Sequence, residues 1–204
     1  VVHGSTGLVH LFGARDDDED DSPIPSSEPL RRFAELDLAA STTRVVETTC
    51  DEVDMALLDA DVQFVFVAGA VHAVVLTAEW IVLQLVGSQW RRLAAAQASA
   101  VPHAQLRGVA LCAKDNVLWA FGGLDAHDAR ASGAMWRCEI ASDNSTVCWH
   151  EVPQTAPWPP ARGFSSFVDF FLTGGDGGEP ELVEFGDAFH WDVAAGRWRE
   201  VAAR

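Results

Sequence analysis

The residues of this 204-residue chain with chemical potential are four cysteines, seven histidines, an adjacent pair of serines and a run of acids. Cys50, Cys112, Cys138 and Cys148 form no Cys-x-x-Cys pair, and His3, His10, His72, His103, His127, His150 and His190 do not fall at metal-ligand spacing. His127 and Asp128 lie beside Asp125 but lack a further partner at strand or helix spacing. Ser165 and Ser166 follow Gly163-Phe164, which is not a nucleophile elbow, and no Asp-His pair is placed to activate them. Gly174-Gly175-Asp176-Gly177-Gly178 lacks the lysine and following helix of a phosphate loop. No metal, cofactor or catalytic residue is therefore expected.

Two features bear on compartment and partners. If Asp143 is a hairpin tip, Cys138 and Cys148 oppose one another, close enough for a disulfide in a non-hydrogen-bonded pair. Asn144-Ser145-Thr146 in the same tip is a glycosylation sequon, used only in a secretory lumen. The expectation is a cytoplasmic chain in which neither is used; a secretory or extracellular one, with both used, is the alternative. The run Asp16-Asp17-Asp18-Glu19-Asp20-Asp21 repels itself and reads as an extended, solvated insertion. A basic partner or loosely held Ca²⁺ is the other use for it, although it lacks the interleaved glycine of a calcium loop.

With 49% hydrophobic and 22% charged residues, the composition is that of a folded globular domain. A net charge of -16 argues against nucleic acid, whose affinity rests on clustered lysine and arginine. No apolar run approaches the roughly 18 residues of a membrane-spanning helix, and no membrane association is expected. There is one lysine, Lys114, and no tyrosine, so aromatic packing falls to eight Trp and eleven Phe.

The elements that position these residues follow a repeat. Val117-Leu118-Trp119-Ala120-Phe121 is an apolar run of strand length ending at Gly122-Gly123, and Asp169-Phe170-Phe171-Leu172-Thr173 ends likewise at Gly174-Gly175. Weaker copies are Leu8–Phe12 before Gly13 and Val65–Ala68 before Gly69, which spaces the glycines by roughly fifty residues. After each comes a polar loop, then a strand-like run: 33–37, 79–83, 135–139 and 188–192. A short turn follows (Val86-Gly87-Ser88 or Ala194-Ala195-Gly196, for instance), then a closing run: 44–47, 89–93, 148–152 and 197–201. Tryptophan stands in the last three closing runs. Arg107–Leu111 and Arg162–Phe167 supply a strand before the glycine run in the third and fourth units, giving four strands per unit. Nothing holds helical period for ten residues, and the nearest rival, 53–58, amounts to one helical turn.

These residues resemble the Kelch repeat: an Arg near the first strand, a Gly-Gly doublet closing the second, an aromatic and Asp in the third, a Trp in the fourth. The fourth unit matches with Arg162, Gly174-Gly175, Trp191-Asp192 and Trp198; the third nearly so, with Cys138-Glu139 in place of the aromatic and Asp. The second keeps Gly69 and Trp90, and the first keeps Gly13 and Asp37.

The resemblance implies an all-β, Kelch-type β-propeller domain over 1–204, with four-stranded blades at about 1–50, 51–99, 100–153 and 154–204. Kelch rings have about six or seven blades, so the chain is a portion of a longer ring, one half of a two-copy ring, or a distinct four-bladed closure. The family's first-strand arginine often faces the channel mouth. Arg107 and Arg162 are then expected to line a shared pocket and pair with a partner's carboxylates; the alternative is a structural arginine bonding loop carbonyls. The implied function is a non-enzymatic protein-interaction module or scaffold with no cofactor. The alternatives are a Kelch-like enzyme of sugar epimerase or specifier type, or a structural subunit of a larger assembly. Copper oxidase chemistry is excluded by the missing tyrosine ligand.

Overall fold

The computed structural model describes residues 2–3, 8–12, 32–37, 40, 42–50, 61–67, 69–96, 100, 102, 105–179 and 183–201. Among these there is no helix, and the chain is all-β. The acidic run at 16–21, Gly13, and the helical turn weighed at 53–58 lie outside the described residues.

Four antiparallel sheets follow one another along the chain. The first is β1 (Val2–His3), β2 (Leu8–Phe12), β3 (Arg32–Asp37) and β4 (Thr42–Glu47), hydrogen-bonded in that order. After a two-residue strand β5 (Thr49–Cys50), the second sheet comprises β6 (Asp61–Val67), β7 (Ala70–Leu76), β8 (Ile81–Val86) and β9 (Gln89–Arg92). Another two-residue strand, β10 (Ala94–Ala95), and β11 (Leu106–Arg107) precede the third sheet. That sheet comprises β12 (Ala110–Lys114), β13 (Val117–Phe121), β15 (Met135–Ile140) and β16 (Thr146–Glu151). β14 (Leu124–Asp125) leaves it to pair with β11. The fourth sheet is β17 (Ser166–Val168), β18 (Phe171–Thr173), β19 (Ala188–Asp192) and β20 (Arg197–Glu200).

The third and fourth strands of each unit lie where the aromatic and tryptophan runs place them. The second unit is corrected. Gly69 does not close a second strand but turns the hairpin between β6 and β7, with φ +75 and open space around it. The run from Val65 onward is thus two strands, and the glycine spacing near fifty residues fails there. The second strand of that unit ends at Leu76, followed by Thr77-Ala78-Glu79 with no glycine doublet.

Successive sheets are stitched in two ways. Along their first strands, β1 lies against β6, β6 against β12, and β12 against β17. Along their last strands, the first two sheets each send a tail forward. β5 runs parallel to β9, and β10 runs parallel to β16, so the last strand of each central sheet acquires a neighbour from the sheet before it.

Cores fill the gaps. Val65, Val74, Leu76 and Val82 of the second sheet pack with Leu118, Cys138, Ile140 and Trp149 of the third. The third sheet's other face, with Cys112, Trp119, Phe121 and Met135, packs with Phe167, Leu172, Trp191 and Trp198 of the fourth. Trp90, Trp149 and Trp198 each belong to the face turned away from the next sheet, and all three are at most 2% exposed. A large flat ring on the last strand buries roughly 150–250 Å² in each case.

Candidate partner-binding site

Two places gather polar groups against a rigid scaffold: the ends of the sheets where Arg107, Arg162 and the glycine doublets meet, and a cleft between the third and fourth sheets.

Arg162 is wholly buried. Its Nη1 donates to Asp187 Oδ1 at 2.5 Å and to the Gly174 carbonyl at 3.0 Å, and its Nη2 donates to Asp187 Oδ2 at 3.0 Å. Nε donates to the Pro160 carbonyl, and the guanidinium lies 4.2 Å from the centroid of the Phe185 ring. The backbone carbonyl of the same residue accepts from Gly123 N at 2.8 Å. One residue thus ties the glycine doublet of the third unit to that of the fourth, its forked side chain meeting a carboxylate bidentately. The doublet is required there: Gly122 has φ +71, and a Cβ on it would collide with the Arg162 carbonyl oxygen. The carboxylate that Arg162 binds is the chain's own.

Arg107 differs. It is exposed, at the entrance to the third sheet on β11. The neighbouring backbone is part of a relay: Gly108 N donates to Asp61 Oδ2 at 2.7 Å, and Phe164 N donates to the Gly108 carbonyl at 2.7 Å. The openings of three sheets are thereby pinned in line, with Arg107 presented to solvent beside them. The two arginines expected to share a pocket are therefore separated by exposure, one internal and one external.

The cleft was not legible as a motif. Its volume is about 600 Å³, within the range of ligand sites. It arises from the register of the third sheet. One row across that sheet is Cys112, Trp119, Arg137 and His150; the next is Lys114, Val117, Glu139 and Cys148. Cys112 and Trp119 are buried against the fourth sheet, Val117, Arg137 and Cys148 are half-buried, and Lys114, Glu139 and His150 are exposed. Trp119 and Trp191, with ring centroids 5.8 Å apart, make an aromatic floor, and Phe170 and Val193 extend it. Lys114, Asp115, Arg137, His150 and Glu151 supply a charged rim of both signs. Arg137 lies 5.7 Å from the Trp119 ring centroid and is paired with Glu139. The signal that could have found this site is the alternation in β15 and β16, where Arg137, Glu139, Cys148 and His150 share a face.

The direct opposition of Cys138 and Cys148, on which the alternative of a disulfide rested, is corrected. Cys138 pairs with Trp149, and Cys148 with Glu139, so the two thiols lie one residue out of register, on opposite faces. Asn144 at φ +53 sits in a loop closed by Ala141 N to the Thr146 carbonyl, and that loop shifts the tip by half a residue from Asp143. Cys138 is buried against Trp149, and burial pushes its thiol far above the ordinary range. Cys112, Cys138 and Cys148 are free thiols, with Cys148 Sγ lying 3.3 Å from His150 Nε2. The sequon asparagine is at the loop tip, half-buried.

His72 is wholly buried in β7, its Nδ1 3.2 Å from the Ala70 carbonyl. Burial holds its pKa below the ordinary value, the Ala70 contact opposing in part. Asp125 accepts from the amides of His127 and Asp128, so that loop cluster serves its own turn, and these bonds lower the Asp125 pKa. Among the described residues no cluster of three or more His, Cys, Asp or Glu could hold a metal, and no helix is long and apolar enough to cross a membrane. No family model matches the chain, and no curated protein matches its sequence.

Proposed function

We propose that the four sheets are blades of a Kelch-type β-propeller and that the chain is a non-enzymatic interaction module. Three features support the propeller reading. The second to fourth sheets stack face to face in chain order, the last-strand Trp149 and Trp198 turn toward the preceding sheet, and tails pass forward onto the next sheet's edge. A single twisted sheet cannot bury both faces alone, and radial stacking is the arrangement that does so with a repeated unit.

The observation that carries the functional reading is the cleft of about 600 Å³ between the third and fourth sheets. Its tryptophan floor offers a large contact area at little entropic cost, since Trp119 and Trp191 are already held by the core. The rim cations Lys114 and Arg137, with exposed Arg107 beside the sheet entrances, suit acidic side chains on a partner; Arg162 is the brace that holds the sheet ends in place.

Selection from a displayed library of random linear peptides tests this. The expected result is an enriched sequence class pairing an aromatic with acids, whose binding falls at least tenfold in Lys114→Glu/Arg137→Glu. Enriched peptides indifferent to those changes and to Arg107→Ala would remove both sites from consideration.

A further inference from the structure

The last strands of the second and third sheets carry an edge partner that the fourth lacks. β5 lies parallel along β9 and β10 parallel along β16, so those sheets have five strands and the fourth has four. The carbonyl two residues before each last-strand tryptophan marks the difference. Ser88, before Trp90, accepts from Thr49 N at 2.9 Å, and Val147, before Trp149, accepts from Ala96 N at 2.8 Å. Gly196, before Trp198, receives no main-chain donor among the described residues. Val201 N donates to the Ala188 carbonyl at 2.8 Å, so Arg197 and Arg199 turn their main-chain groups to β19, and Gly196 and Trp198 turn theirs outward.

The chain that follows the third sheet explains the gap. Leu93 N and Val152 N donate to the Val82 and Met135 carbonyls, which ends the two last strands at equivalent points. After Leu93 comes Ala94, whose amide reaches the Ser145 carbonyl at 3.2 Å. After Val152 comes Pro153, which has no amide hydrogen to give, and Pro157, Pro159 and Pro160 follow. The segment is drawn toward the third sheet instead. Gln154 Nε2 and Trp158 Nε1 both donate to the Gly133 carbonyl, at 3.3 and 2.8 Å, and the Trp158 ring packs edge-on to Trp191 and Trp198. The cleft opens where the added strand would have run: Val152, Pro153 and Thr155 line it together with Trp191, Val193 and Gly196.

We infer that an extended peptide enters this cleft and adds as a fifth strand parallel to β20, its amides reaching the Gly196 and Trp198 carbonyls. This mode of binding rests on the reading of the cleft as a partner site. The segments that fill the equivalent edges, Thr49–Cys50 and Ala94–Ala95, are short and made of small residues, so main-chain pairing supplies the contact and the rim sets the preference. Arg137 and Arg199 are engaged by Glu139 and Asp192, which leaves Lys114 and exposed Arg197 for acids at alternate positions of the peptide.

The probe is an acetylated and amidated peptide with the sequence of residues 94–100 carrying Gln97→Asp, followed by amide hydrogen exchange in NMR spectra of the whole chain. Well above its dissociation constant it should slow exchange of the Trp198 amide about tenfold, and the same peptide N-methylated throughout should not. A nitroxide on its amino end should broaden Gly196 more than Glu200, as a parallel strand requires. Shifts in the cleft without slowed Trp198 exchange, equal protection by the N-methylated peptide, or the opposite nitroxide pattern would overturn strand addition and leave the cleft a peptide site. No shift at Trp191, Gly196 or Trp198 would also overturn it, and the displayed-library selection then decides separately whether the cleft takes peptides at all.

Discussion

The third and fourth sheets have the same four-stranded order and the same glycine doublet, yet they differ in what covers them. In β13, Val117–Phe121, every residue is apolar and four of the five are buried, because sheets lie against both faces. In β18 and β20 only the middle or second residue is buried, and the others are exposed. Among second strands the pattern therefore reports how many neighbours a sheet has, whereas the last strands β9 and β20 are alike, each burying only its tryptophan.

The largest consequence is expected at a tryptophan inside the two-sided sheet. Trp149→Ala should cost about 3–5 kcal/mol in urea unfolding, since the ring is fully buried against the second sheet. A loss no larger than that of an exposed residue would mean that the central sheets are not packed as described. Arg162→Met should cost about 3 kcal/mol, the low end for a broken buried pair, because Asp187 keeps 29% side-chain exposure. That would lower the melting temperature by about 6–12 °C for a chain of this size. Arg107→Ala, by contrast, should stay within about 0.5 kcal/mol, which separates the internal arginine from the external one.

Gly122→Ala should cost more than about 1 kcal/mol, through both left-handed backbone and collision. The same change at Gly69, whose φ is also positive but whose surroundings are open, should cost less. Calorimetric melting of the pair isolates the steric part.

His72 gives a pH dependence. Its folded pKa is lowered from 6.5 by burial, so the unfolded chain binds the proton more tightly. Its contribution to stability is complete above about pH 6.5 and is lost as pH falls through that value toward the folded pKa. The urea midpoint should drop on acidification below neutrality, and the drop should be shallower in His72→Gln. Parallel profiles for the two proteins would exclude the histidine as its source. The smallest expected effect is Phe171→Ala, within about 0.5 kcal/mol for an isolated chain, because that side chain lies on the one-sided sheet.

Much of the strand order was legible in the chain. The run Ala188–Asp192 is a strand from end to end, and the closing runs around Trp90, Trp149 and Trp198 fall on last strands. They were legible because aromatic and β-branched residues bounded by Gly, Asp and Ser have few other uses. The second unit was not: a glycine at a hairpin and a glycine closing a strand look alike in sequence, and only the pairing of β6 with β7 tells them apart.

By itself the sequence determined the all-β class, most third and fourth strands, and the want of metal-ligand spacing, since these depend on side-chain type and short-range pattern. The tertiary structure alone decided that Arg162 faces inward to Asp187, that Cys138 and Cys148 part to opposite faces, and that an aromatic cleft opens between two sheets. Each of those depends on register, and a shift of one residue reverses every side chain's direction while leaving composition and periodicity untouched.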